Sequence, residues 1–235
     1  MNGNVIALLV VLNACAPAYI PNMVNTPLFS NKNEFTANVG GGSSGIDAQV
    51  AYAMTDHVAV MANSSFSSQS NHNSSEYYED NVHHKHRFFE GGIGYFDTPT
   101  SWLNFEAFGG YGKGTIESYD SFWGDSISGD YYRVFVQPSM GIVSDYLDLC
   151  FTPRFAYVGF DGTLNNSSST IRGTGIFIEP VFTIKLGFKQ VKFFSQIGWS
   201  IKVNSVDYNF ENQPSIFSFG TQLTLGRKRE KSFID

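Results

Sequence analysis

From about Asn33 to Gly226 the chain falls into stretches of roughly ten residues that alternate apolar and polar side chains, joined by connections that are alternately short and long. Side chains on a β-strand point to opposite faces in turn, so sustained alternation predicts one apolar and one polar face. Over Tyr132 to Val143, residues Tyr132, Val134, Val136, Pro138, Met140 and Ile142 oppose Arg133, Phe135, Gln137, Ser139, Gly141 and Val143, a face that is mostly small or polar. The same split recurs in 147–157, 176–185, 191–202 and 217–225, and less cleanly in 34–40, 46–54, 57–67, 86–96 and 102–116. The pattern predicts an all-β fold: an up-and-down antiparallel transmembrane β-barrel of about ten strands, with eight as the alternative count.

Alternation alone also fits a soluble lipocalin-like barrel, which is apolar inside and polar outside. Composition separates the two. Charged residues are 15% of the chain, against about 25% in ordinary soluble domains. The polar faces are mostly Gly, Ser, Thr and Gln, which suits a crowded interior better than a solvated exterior. Aromatics near strand ends are expected to form two interfacial girdles, with Tyr95, Phe96, Trp102, Tyr146 and Phe188 on one side and Tyr131, Tyr157, Phe160 and Tyr208 on the other.

The connections at 55–57, 97–100, 144–146 and 187–190 are tight, whereas the polar stretches 68–85, 118–129, 161–171 and 204–213 are long. In outer-membrane barrels short turns face the periplasm and long loops the exterior. Stretches 68–85 and 118–129, the latter carrying Tyr119, Phe122 and Trp123, are therefore the expected contact surfaces for extracellular ligands or other outer-membrane proteins, beside the lipid itself. The net charge of −6 is spread out, and the one basic run, Arg227 to Lys231, lies at the end, so no nucleic-acid partner is indicated.

With the polar face inward, Glu90, Glu106, Arg133, Asp148, Arg154, Glu179, Lys185, Lys192 and Lys202 share the lumen. Ten strands enclose too little space for a wide channel, and charges at low dielectric must be paired. The expectation is an ionic network that fills the barrel, with a narrow channel for small solutes as the alternative.

Val5 to Leu12 is an apolar run too short to span a bilayer as a helix and of the right length for a secretory signal. The following Leu12-Asn13-Ala14-Cys15 resembles the lipobox of bacterial lipoproteins, which implies acylation of Cys15. Cys150 falls inside a strand, so no disulfide framework is expected. The expected organisation is a signal peptide at 1–14, an anchor and proline-punctuated extended tether at 15–32, the barrel at 33–226 and a basic periplasmic tail at 227–235.

Cys15 followed by Pro17, Tyr19, Pro21 and Asn25-Thr26-Pro27-Leu28-Phe29, with the later runs Gln49 to His57 and Glu90 to Phe96, resembles small lipid-anchored outer-membrane β-barrel proteins of Bacteroidota. The motifs cover the first hundred residues, and the resemblance implies fold and location but no biochemical activity. No acidic run follows Cys15 of the kind that directs lipoproteins of that group to the surface. By that resemblance the anchor belongs in the inner leaflet, with tether and both termini in the periplasm.

Candidate chemistry is confined to the loops. His83, His84 and His86, with His72, Glu76, Glu79 and Asp80 nearby, are the weak candidates for a metal, because His84 and His86 share a face of an extended segment. Their spacing matches no defined site, so no metal or cofactor is expected. An omptin-like rim protease would use Asp80, His83, His84, His86 and Asp130 to activate water, but no omptin-like motif is present. The reading is a non-enzymatic barrel, structural, accessory or surface-binding.

Overall fold

The structure is a computed structural model that describes residues 17–75, 78–100, 102–120, 125–164, 170–207 and 210–227, with the side chains of 69–83, 120 and 125 left out. Eleven strands follow one another: β1 (Phe35–Gly42), β2 (Gly45–Ala53), β3 (Val58–Ser75), β4 (Tyr78–Thr100), β5 (Leu103–Asp120), β6 (Asp125–Val143), β7 (Leu147–Leu164), β8 (Thr170–Gly187), β9 (Val191–Trp199), β10 (Ile201–Asp207) and β11 (Ser215–Leu225). Each pairs antiparallel with its neighbours, and β1 pairs with β11 from Phe35 opposite Leu225 to Gly42 opposite Ser218, which closes the wall. β9 and β10 both run along β8, with Val181 opposite Gly198 and Ile178 opposite Ile201. They form one wall position interrupted at Ser200, so the barrel is ten-stranded with one extra segment. Closure pairs the wall all round through β1 with β11, β11 with β9 and β9 with β8, as a lipid environment requires, while β10 has β8 as its one strand neighbour among the described residues.

Two mouths differ. At one, the connections 54–57, 101–102, 144–146 and 188–190 are short, and the chain enters β1 and leaves β11 there. At the other, strands β3 to β8 run on for 18 to 23 residues, roughly twice the 9–11 needed to cross a hydrocarbon core. The stretch 68–85 is consequently not a loop: β3 and β4 pair all the way to Ser75 opposite Tyr78. Beyond the apolar belt neither strand face needs to be apolar, so the alternation fades while the backbone pairing continues. The same holds in part for 118–129 and 161–171. The hairpin from Gly42 to Gly45 is tight at this mouth, where Gly45 has φ +104° and a Cβ would lie 2.3 Å from the Phe66 carbonyl oxygen.

The outward face is a continuous apolar belt: Val134, Val136, Met140, Ile142, Phe155, Ile176, Phe182, Phe193 and Phe219 are all exposed. An apolar band around a closed sheet is stable only in lipid, which makes this a transmembrane barrel of the outer-membrane type. The girdles differ from expectation in part. Tyr95, Tyr146, Phe188 and Tyr157 do face outward, but Phe96, Tyr131 and Phe160 are buried inside, and Tyr208 lies outside the described residues. Position near a strand end does not decide the face; parity does, and these three share the parity of the inward set. Outward Tyr111, Tyr132 and Tyr157 supply the belt at the long-loop side, with Tyr111 and Tyr132 ring centroids 6.4 Å apart and Tyr132 and Tyr157 6.2 Å apart.

Candidate functional site in the barrel lumen

The largest departure from the sequence reading is the course of residues 17–30. The sequence places them in an extended periplasmic tether; instead they pass along the lumen from one mouth to the other, and Ala18 to Phe29 are buried throughout. At the long-loop mouth, the N–H of Ala18 donates to the carbonyl of Glu211 at 2.9 Å, and the carbonyl of Tyr19 accepts from the N–H of Gln213 at 3.0 Å. At the short-turn mouth, Asn104 Nδ2 donates to the Phe29 carbonyl at 2.8 Å and Arg227 Nη2 to that of Leu28 at 2.8 Å. The ends of the described chain, Pro17 and Arg227, therefore lie at opposite mouths, not at the same one.

A strand inside a closed barrel has no free sheet edge to pair with, so its backbone polar groups need side-chain partners. The inward face supplies them rung by rung. Gln49 Nε2 donates to the Met23 carbonyl at 2.7 Å, and Gln196 brackets Val24, accepting from its N–H at 3.1 Å and donating to its carbonyl at 2.7 Å. Gln137 Nε2 donates to the Asn25 carbonyl at 2.6 Å, Lys185 Nζ to that of Thr26, and Glu106 accepts the N–H of Leu28 at 2.9 Å. Prolines 17, 21 and 27 have no N–H to satisfy, which reduces the number of donors the lumen must match. Leu28, with φ +52°, holds a backbone conformation that a branched side chain seldom adopts, and its N–H and carbonyl are both engaged there.

At mid-height four buried charges surround Asn22. Arg133 pairs with Glu90, and Arg154 Nε with Glu179 Oε2 at 2.6 Å; both arginines are fully buried. Asn22 Oδ1 accepts from Arg133 Nη2 at 2.6 Å and from Arg154 Nη1 at 3.0 Å, its Nδ2 donates to Glu90 at 3.2 Å, and its carbonyl accepts from Arg154 Nη2 at 3.1 Å. The Tyr19 hydroxyl accepts from Arg133 at 2.9 Å and donates to Glu179 at 2.9 Å, while Asn63 donates to Glu90 at 2.9 Å and Ser200 to Glu179 at 3.0 Å. Two cations and two anions are thus neutralised in a buried space, each with further hydrogen bonds, the condition under which buried ion pairs are tolerated.

Above this layer an aromatic cluster closes around Tyr19. Its ring lies 4.9 Å from Phe177 and 5.8 Å from Tyr131, Phe88 stacks on Tyr131 at 5.2 Å, and the Arg133 guanidinium sits 4.6 Å over Phe88. Below it, Lys192 pairs with Asp148 at 2.6 Å, Phe29 packs on Phe96 at 5.6 Å, and Arg227 Nε pairs with Glu34 at 3.1 Å.

Of the nine charges assigned to the lumen from the sequence, Glu90, Glu106, Arg133, Asp148, Arg154, Glu179, Lys185 and Lys192 are buried on the inward face. Lys202 is half-buried near the long-loop mouth, donating to the Phe210 carbonyl with its ammonium 5.4 Å from that ring. His84 and His86 share the inward face but make different contacts: His86 Nε2 bonds the Tyr131 hydroxyl at 2.6 Å, and His84 Nδ1 bonds the Ser118 hydroxyl at 2.6 Å. The side chains of Asp80 and His83, and Cys15, lie outside the described residues. Among the described residues no group of three metal-capable side chains converges. Cys150 is buried, free and turned inward, 3.4 Å from Thr152 Oγ1.

The residues missed at the sequence level are the neutral ones that hold the segment: Tyr19, Asn22, Asn25, Gln49, Asn104, Gln137 and Gln196. A signal was present. A solvated tether has no use for Tyr19, Ile20, Met23, Val24, Leu28 and Phe29 within a dozen residues, and inward amides on facing strands are the natural partners of an unpaired backbone.

No family model and no curated protein matches this chain. Among solved structures it is similar to OmpT, an outer membrane protein of Vibrio cholerae. A loop L8 deletion mutant aligns at 11% identity over 81% of this chain and 97% of that one, with a TM-score of 0.21. The in-vitro folded form aligns at 10% identity over 82% and 96%, with a TM-score of 0.20. At these scores the likeness carries no argument, and the fold rests on the strand pairing itself.

Proposed function

We propose that this protein is a non-enzymatic, lipid-anchored outer-membrane barrel whose lumen is closed by its own amino-terminal segment, and that it serves as a structural, accessory or surface-binding component rather than a channel. The observation that carries this reading is the complete burial of Ala18 to Phe29 along the lumen, with backbone groups from Ala18 to Leu28 held by inward-facing residues of the wall or by the loop at its mouth. A solute path through the barrel would have to break those bonds at every level, and each charge-assisted one contributes about 1.5–3 kcal/mol. The short-turn mouth faces the periplasm, and the long-loop mouth, with 68–85 and 118–129, faces extracellular ligands or other outer-membrane proteins.

Reconstitution of the full chain in planar bilayers tests the reading. The expected trace shows no discrete conductance steps for the wild type, with brief openings for a variant carrying Asn22→Ala and Gln196→Ala, which loosen the segment without removing a charge. Steady ohmic steps from the wild type overturn the closed-lumen reading in favour of a narrow channel.

A further inference from the structure

The direction of the luminal segment has a topological consequence. Residues 30 to 34 lie at the short-turn mouth, where Ser30 N–H donates to Glu34 Oε1 at 3.3 Å just before β1 begins. Followed backward in sequence, the chain rises through the barrel and reaches the opposite mouth at Ala18, against the loop between β10 and β11. Tyr19 forms a parallel bridge with Asn212 there. Ala18 to Phe29, extended at about 3.3 Å per residue, can cover close to 40 Å, enough to traverse a hydrocarbon core of about 30 Å.

We infer that the barrel carries its own amino terminus across the membrane, so that the residues before Pro17 emerge at the extracellular face. Three observations fix the segment as a traverse and not as a lid folded back into one mouth. It contacts both mouths, at Glu211 and at Arg227. It meets the wall at falling heights, Tyr19 and Asn22 at the paired Glu179 and Arg154, Val24 at Gln196 and Leu28 at Glu106. Its lower end is pinned by Arg227, which also holds Glu34, the residue before β1. Because β1 closes on β11, the wall encircles the segment completely, and the segment cannot leave sideways.

Cys15 is three residues from Ala18, a reach of about 10 Å at most. If it is acylated, as the lipoprotein reading proposed above has it, its acyl chains enter the outer leaflet at the cell surface and not the inner leaflet.

The test is an epitope inserted between Ala16 and Pro17, compared on intact and permeabilised cells with the same epitope placed after Arg227, in outer membranes whose barrels are first shown to be heat-modifiable on gels. Threading predicts full antibody binding to the first epitope on intact cells and binding to the second only after permeabilisation. Binding of the first epitope only after permeabilisation overturns it. A smaller change guards against misfolding of the insertion: Cys15→Ser with Ala16→Cys, probed by a membrane-impermeant maleimide, leaves buried Cys150 as the sole other thiol. Labelling of intact cells supports threading, and labelling that requires permeabilisation refutes it. Incorporation of an alkyne fatty acid that is lost in Cys15→Ser is read separately. Its absence removes the lipid anchor while leaving a surface-exposed amino terminus in place.

Discussion

Replacing Asn22 by Leu keeps the branched shape of the side chain and removes its polar atoms. Three charge-assisted hydrogen bonds disappear, from Arg133 at 2.6 Å, from Arg154 at 3.0 Å and to Glu90 at 3.2 Å. At about 1.5–3 kcal/mol each, the gross loss is about 5–9 kcal/mol. Some of it is retained, because Arg133 stays paired with Glu90 and Tyr19, and Arg154 stays paired with Glu179 and with the carbonyl at position 22. The expected net destabilisation is about 3–5 kcal/mol, the range for disturbing a buried ionic cluster by removing one partner. Urea unfolding of the barrel in phospholipid vesicles, followed by tryptophan fluorescence, reads this as a lower midpoint at similar slope. A loss below about 0.5 kcal/mol would place Asn22 in water, since surface substitutions usually stay within that limit. The segment would then not be seated among the four charges, and both the closed lumen and the traverse would fall with it.

Val136→Arg on the outward face, midway between Tyr132 and Ile142, is expected to cost about 2–4 kcal/mol in vesicles, the penalty for a cation at the bilayer midplane. An unchanged unfolding midpoint would mean that this face does not meet lipid. At the closing seam a Cβ on Gly220 would lie 2.3 Å from the Val39 carbonyl oxygen and 2.6 Å from Gly40 Cα. Gly220→Val is therefore expected to abolish the heat-modifiable form, whereas Gly91→Ala, whose Cβ meets its nearest neighbour at 3.7 Å, leaves it intact. Equal behaviour of the two variants on gels would rule out tight packing at the seam.

The sequence by itself determined the wall. Period-two alternation assigns each residue to lipid or lumen without reference to any partner, because the pleat alone sets the face. That is why Arg133, Arg154, Glu90 and Glu179 were legible as interior charges, and why Val136 was legible as lipid-facing. Where a rule other than parity was applied, it held only in part: Phe96, Tyr131 and Phe160 were assigned to a girdle by their place near a strand end, yet all three turn inward, Tyr131 against Tyr19 and Phe160 against Phe210. The polar stretch 68–85 concealed a hairpin because hydrogen bonding between backbones continues where no apolar face is needed.

Only the tertiary structure decided what fills the lumen. Residues 17–30 carry no periodicity, since their partners are not neighbours in a sheet but single amides and charges scattered from Gln49 to Arg227. Proline spacing told that the segment is extended, and its apolar content told that it is not solvated. Neither property specifies where an extended apolar segment goes. That depends on a closed wall whose inward polar atoms would otherwise remain unpaired, and such a wall exists only once β1 meets β11. The ionic residues were written in the sequence; the reason they balance around Asn22, and the mouth at which the chain emerges, were not.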